Sequence, residues 1–141
     1  MKITLSINSE HSIEVANSEL AYFLFFSNDN PSRADFYNEL ASHPASQIRA
    51  EVASKTCLPV TTLEKLANDH SIEVVKKVAC NETALKLFKA ETLKSMLDRD
   101  ASIAFDLAQR HLHSMKPAVR ELVEAELMKL KTNVSPAAAD D

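Results

Sequence analysis

The apolar positions in the middle of this chain are written twice at one spacing. LASHPASQIRAEVASKTCLPVTTL starts at Leu40 and LANDHSIEVVKKVACNETALKLFK starts at Leu66, an offset of 26 residues. At that offset Leu40 meets Leu66, Ala41 meets Ala67, Ile48 meets Val74, Val52 meets Val78 and Ala53 meets Ala79. The polar positions between them differ. A fainter third copy, SMLDRDASIAFDLAQ, brings Asp98, Ile103, Leu107 and Ala108 under Asp69, Val74, Val78 and Ala79. Self-similarity at a period of about 20–50 residues marks a repeat architecture, in which each unit buries its apolar face by stacking on its neighbours. The expected fold class is mainly α, a short α-solenoid of helical repeats with a small N-terminal β-hairpin.

The flanking segments carry other periods. Ile3, Leu5 and Ile7 alternate with polar residues, as do Ile13 and Val15 after Asn8–His11, which predicts a hairpin over residues 1–17. A lone hairpin is marginal in water, so its apolar face is expected to dock on the first helices; the other reading is an edge that accepts a partner's strand. Ser18 is a candidate cap for a helix over Glu19–Phe26, whose sequence ELAYFLFF is apolar nearly all round. It reads as a buried base for the hairpin and first repeat, with a self-association patch as the alternative. Ser32 with Asp35 resembles a further helix start, and Phe36, Tyr37, Leu40 and Ala41 form one stripe.

Pro44 and Pro59 punctuate the repeats. Ile48, Val52 and Ala53 form the inner stripe of one unit, with Gln47, Arg49, Glu51 and Lys55 expected to face out. Val74, Val75, Val78 and Ala79 repeat that stripe, with Asp69 or Ser71 as the cap. Ser114 is the candidate cap of a last helix over Met115–Lys131 that closes the stack. The domain reading is a single unit over 1–131, with repeats across 18–113, a capping helix over 114–131 and a disordered tail over 132–141.

The pattern shared by LASHPASQIRAEVA and LANDHSIEVVKKVA resembles the leucine-rich repeat variant units and the wider HEAT-like α-solenoids, over about residues 40–109. That resemblance implies short helix pairs stacked into a right-handed superhelix, and a binding scaffold rather than an enzyme. One variant-repeat type carries a cysteine-ligated iron–sulfur cluster; with only Cys57 and Cys80 present, that feature does not carry over. HEAT-like DNA glycosylases use tryptophan in their pocket, and this chain has none.

Composition narrows the chemistry. The chain contains no glycine, against an average of about 7%, which argues against phosphate-binding loops, a nucleophile elbow and a turn-rich β-sandwich. Met1–Ile7 has no apolar signal region, and Leu20–Phe26 is far short of the ~20 residues that span a bilayer, so a cytoplasmic protein without membrane attachment is expected. His111 and His113 do not share a helix face, so no metal site is expected. Cys57 and Cys80 read as small buried apolar groups, with a Cys/His nucleophile through His43 or His70 as the sharper alternative. No cofactor and no catalytic constellation are expected.

Charge is uneven. Residues 1–48 hold two basic and six acidic groups, whereas residues 49–94 hold eight basic and six acidic. The repeat pattern, with no catalytic constellation beside it, makes the expected function a non-catalytic protein–protein interaction module, an adaptor, regulator or inhibitor that binds a protein partner through Gln47, Arg49, Glu73, Lys76, Lys77 and Asp106. The alternative is a nucleic-acid-binding protein using an Arg49/Lys76/Lys77 strip. The hairpin and aromatic first helix leave homodimerisation open.

Overall fold

The computed structural model describes residues 1–134. It is mainly helical, with one antiparallel hairpin of β1 (Thr4–Ile7) and β2 (His11–Glu14). Leu5 stands opposite Ile13 and Ile7 opposite His11, and the Val15 N–H donates to the Ile3 carbonyl at 2.8 Å. This register puts Ile3, Leu5, Ile7, Ile13 and Val15 on one face. In the turn, Asn8 and Ser9 take φ of 50° and 62°, a region that glycine normally fills in tight hairpins.

Nine helices follow among the described residues: α1 (Asn17–Phe26), α2 (Ala34–Leu40), α3 (Ser46–Ala53), α4 (Val60–Ala67), α5 (Ile72–Ala79), α6 (Glu82–Leu87), α7 (Ala90–Arg99), α8 (Ser102–His111) and α9 (Pro117–Val134). Helix α3 lies against α1 on one side and α5 on the other, and α5 in turn meets α8. A second set, α4, α7 and α9, packs in the same order, with α4 on α5 and α9 on α8. Helix α5 begins 26 positions after α3, the offset at which the two apolar patterns match. Its shared stripe of Ile48, Val52 and Ala53, then Val74, Val78 and Ala79, is buried throughout. Each fully buried Ile or Val of that stripe contributes about 1.5–3 kcal/mol relative to exposure.

Several expectations are corrected. Only the root of the hairpin is docked: Ile3 and Val15 pack on the core, while Leu5, Ile7 and Ile13 stay exposed. Helix α1 buries Leu20 and Leu24 alone; Tyr22, Phe23, Phe25 and Phe26 are 68%, 53%, 65% and 64% exposed. The reason is that α3 is the helix α1 packs against, so the aromatic side of α1 has no second neighbour. Lys55 does not face out but is buried, and Arg49 is largely covered. Cys57 and Cys80 are part-buried rather than core groups.

Helix starts also differ. The Ala16 N–H, not a Ser18 hydroxyl, is tied to α1, through the Glu19 carboxylate at 3.0 Å. Asn30 caps a short 3-10 turn, Pro31–Arg33, before α2. Ser114 Oγ donates back to the His111 carbonyl, and α9 begins at Pro117. Thr132–Val134 are helical rather than part of a disordered tail; the rest of that expected tail, 135–141, lies outside the described residues.

The turns work without glycine because side chains substitute for backbone freedom. His43 Nδ1, Asp69 Oδ1, Asn81 Oδ1 and Asp100 Oδ1 each accept the N–H two residues on, at 3.0, 2.9, 2.9 and 2.9 Å. Such Asx-type turns hold the chain at these four helix entries with φ negative throughout. The acid that takes the place of Asp69 in the third unit is Asp100, not the exposed Asp98.

Candidate interaction surfaces

Polar groups between the helices are consumed by the fold. Lys55 Nζ donates to the carbonyls of Leu24 and Ser27 at 2.6 and 3.0 Å, at the C-terminus of α1. Twenty-six residues later, Asn81 Nδ2 donates to the carbonyls of Ala53 and Lys55 at 2.8 and 3.0 Å, doing the same for α3. Asn81 also caps α6 through its oxygen. Asp29 accepts from the N–H groups of Thr56 and Cys57. Burial raises its pKa and these bonds lower it, with a net downward shift. Among the described residues, every buried side-chain nitrogen or oxygen has a partner.

Arginines clamp the turns. Arg49 Nη1 donates to the carbonyls of His43 and Pro44, and Arg99 holds the equivalent carbonyls of Asp69 and His70 in the next unit. Arg120 reaches the carbonyls of Leu112 and His113. Arg49 also pairs with Asp69 at 2.7 Å, and Lys76 pairs with Asp100 at 3.5 Å. Two of the three bases in the expected positive strip are therefore tied to acids of the following unit, and Lys77 alone stands exposed without an ion pair among the described residues.

The remaining expected site residues lie in two columns across adjacent helices. Gln47 on α3 and Glu73 on α5 occupy equivalent positions 26 apart, both exposed. Glu51 is the counterpart of Lys77 at the same offset, and Asp106 on α8 continues that column. Cys80 reports the cluster: burial raises its pKa, Arg110 and Lys77 pull it down, and Asp106 pushes it up. Cys57 is pushed up to about 11, first by burial and then by Asp29, so it is a thiol rather than a thiolate at neutral pH. No three His, Cys, Asp or Glu residues converge as metal ligands among the described residues.

The chain matches no family model, no curated protein and no solved structure.

The second surface is apolar and exposed, where a buried base was one expectation and a self-association patch the other. The hairpin face and α1 diverge above the Ile3–Val15 root and leave an open cleft of about 570 Å³. Leu5 and Ile13 form one wall, and Leu20, Phe23 and Phe36 the other. A neighbouring depression of about 520 Å³ is bounded by Tyr22, Phe26 and Asn28. Glu19, Phe23 and Arg33 border both. On the outer side of α1, Tyr22 and Phe25 each pack on Phe26, with ring centroids 4.7 and 5.0 Å apart. No helix of the described residues is long and apolar enough to cross a membrane.

Sequence reasoning missed Lys55, Asn81, Asp29 and Arg33. A signal for the first two was present. Both copies place a long polar donor two residues after the conserved spacing of Val52-Ala53 and Val78-Ala79.

Proposed function

We propose that this chain is a non-catalytic protein-binding module, a short α-solenoid that engages a protein partner along its exposed helix columns. The HEAT-like reading is consistent with α3, α5 and α8 packing in succession, with α4, α7 and α9 as the second course. The observation that carries the functional reading is the register of the outward positions. Gln47 and Glu73, then Glu51, Lys77 and Asp106, recur on consecutive helices while the bases and amides facing the turns are spent on the fold. A surface of that kind varies without touching the core, which is how stacked-helix proteins acquire partners as adaptors, regulators or inhibitors. The two free thiols fit a reducing, cytoplasmic setting.

The nucleic-acid alternative draws no specific support, since Arg49 and Lys76 each hold an internal acid. The test is affinity capture from host lysate with nuclease, comparing the native chain with Glu73→Lys/Lys77→Glu. A stoichiometric protein recovered by the first and lost by the second is expected. Equal recovery by both would move the partner off these columns, and recovery abolished by nuclease would replace a protein partner with nucleic acid.

A further inference from the structure

We infer that the N-terminal face, the hairpin cleft together with the aromatic side of α1, is a two-fold interface with a second copy of this chain. Helix α1 stands at the end of the row α1, α3, α5, α8. At the other end of the molecule α9 buries Val119 and Val123 and turns Glu121 and Glu124 outward. The α1 end has no such polar cover, and stacked-helix proteins need it at both ends.

The area is of the size a stable dimer requires. Tyr22, Phe23, Phe25 and Phe26, with Phe36 at 40% exposure, leave about 600 Å² of aromatic surface open, taking ~200 Å² per ring-bearing side chain. The largest apolar patch of an ordinary monomer is about 300–600 Å² in all. With Leu5, Ile7 and Ile13 added, the face approaches the ~800 Å² that each partner contributes to a standard interface.

A second copy is favoured over another protein by self-complementarity. The molecule carries both a knob, the edge-packed Tyr22–Phe26–Phe25 cluster, and an apolar hole, the cleft walled by Phe23, Phe36 and the hairpin. A two-fold interface presents the same patch twice, so each knob meets the other copy's hole. Charge fits the same operator. Arg33 borders both depressions, is exposed, and makes no ion pair or side-chain hydrogen bond among the described residues. Glu19, also on both rims, uses one oxygen on the Ala16 N–H and keeps the other free. Two-fold pairing brings each Arg33 to the Glu19 of the other copy. A partner of single sign would set a like charge against one of the two.

The test is sedimentation equilibrium of the full chain across micromolar to millimolar concentration, with helical content followed by circular dichroism. The expected mass is twice 15.6 kDa at the upper end. Phe25→Ser/Phe26→Ser, changes at exposed positions, is expected to give a folded monomer. Arg33→Glu and Glu19→Arg should each weaken self-association at least about tenfold, because each puts like charges together twice. Mixing these two variants should restore dimers, since both cross-pairs become opposite in sign. A 15.6 kDa species at every concentration would overturn the inference, as would a dimer unaffected by the Phe25/Phe26 change. A mixture no stronger than its components would overturn the Arg33–Glu19 pairing.

Discussion

Arg49 holds Asp69 through two parallel hydrogen bonds, Nε to Oδ2 at 2.7 Å and Nη2 to Oδ1 at 3.0 Å, joining α3 to the turn before α5. The carboxylate also accepts the Ser71 N–H, and the guanidinium also holds the turn at His43 and Pro44. The side chains are 13% and 9% exposed, so the pair is covered enough that removing one partner strands the other. Asp69→Asn and Arg49→Met should each cost about 2–4 kcal/mol in urea unfolding. Lys76→Met, which breaks the more open pair with Asp100, should cost less than about 1 kcal/mol. Burial raises the pKa of Asp69, but the Arg49 and Ser71 bonds outweigh it and hold the carboxyl below its ordinary 3.8. The stability it contributes is therefore present above pH 3.8 and lost as pH falls through the folded value. Native chain should lose thermal stability steeply there, and Asp69→Asn more shallowly.

Lys55 and Asn81 make a second prediction, because each satisfies two carbonyls of the preceding helix end. Lys55→Met and Asn81→Leu keep the volume roughly constant but remove these donors; the Leu24 carbonyl keeps its bonds from the Ser27 N–H and hydroxyl, whereas the Ser27, Ala53 and Lys55 carbonyls lose theirs. Each should lower stability by about 2–3 kcal/mol, Asn81 more because the α6 cap goes with it. Gln47→Ala and Lys77→Ala, on the exposed columns, should stay within about 0.5 kcal/mol. Equal losses at all four positions would contradict the division between fold and surface.

His43 gives a pH dependence of its own. Burial, aided by nearby positive charge that includes Arg49, lowers its pKa below the ordinary 6.5. Protonation of Nδ1 would also remove the acceptor that holds that N–H. The unfolded chain binds this proton more readily, so stability is full above about pH 6.5 and falls as pH drops toward the folded value. Thermal midpoints between pH 7.5 and 5 should decline for the native chain. His43→Asn, which keeps the Asx-type turn without titrating, should flatten that decline.

The core was legible because apolar period and burial are the same information: Ile48, Val52, Val74 and Val78 are spaced for one helix face and all lie inside. The polar positions were not, for a physical reason. A pattern of apolar and polar letters assigns every charge to solvent, yet Lys55 and Arg49 find acceptors in turns that sequence does not place beside them. Nor does an all-apolar helix declare how many neighbours it has, so α1 read as buried when only Leu20 and Leu24 are. The third repeat slipped because its capping acid, Asp100, stands two residues nearer its helix stripe than Asp69 does. Of the expected site residues, Gln47, Glu73 and Lys77 are exposed and Asp106 is half-exposed, whereas Arg49 and Lys76 are tied to the stack.

The measurement that tests the account most directly is site-specific photo-crosslinking in host cells, with the reactive group introduced in turn at Gln47, Glu73 and Lys77. One protein, crosslinked from all three positions and lost on charge reversal at Glu73 and Lys77, is the predicted result. Crosslinks to nucleic acid, or none from any of the three, would contradict a protein-binding role for these helices.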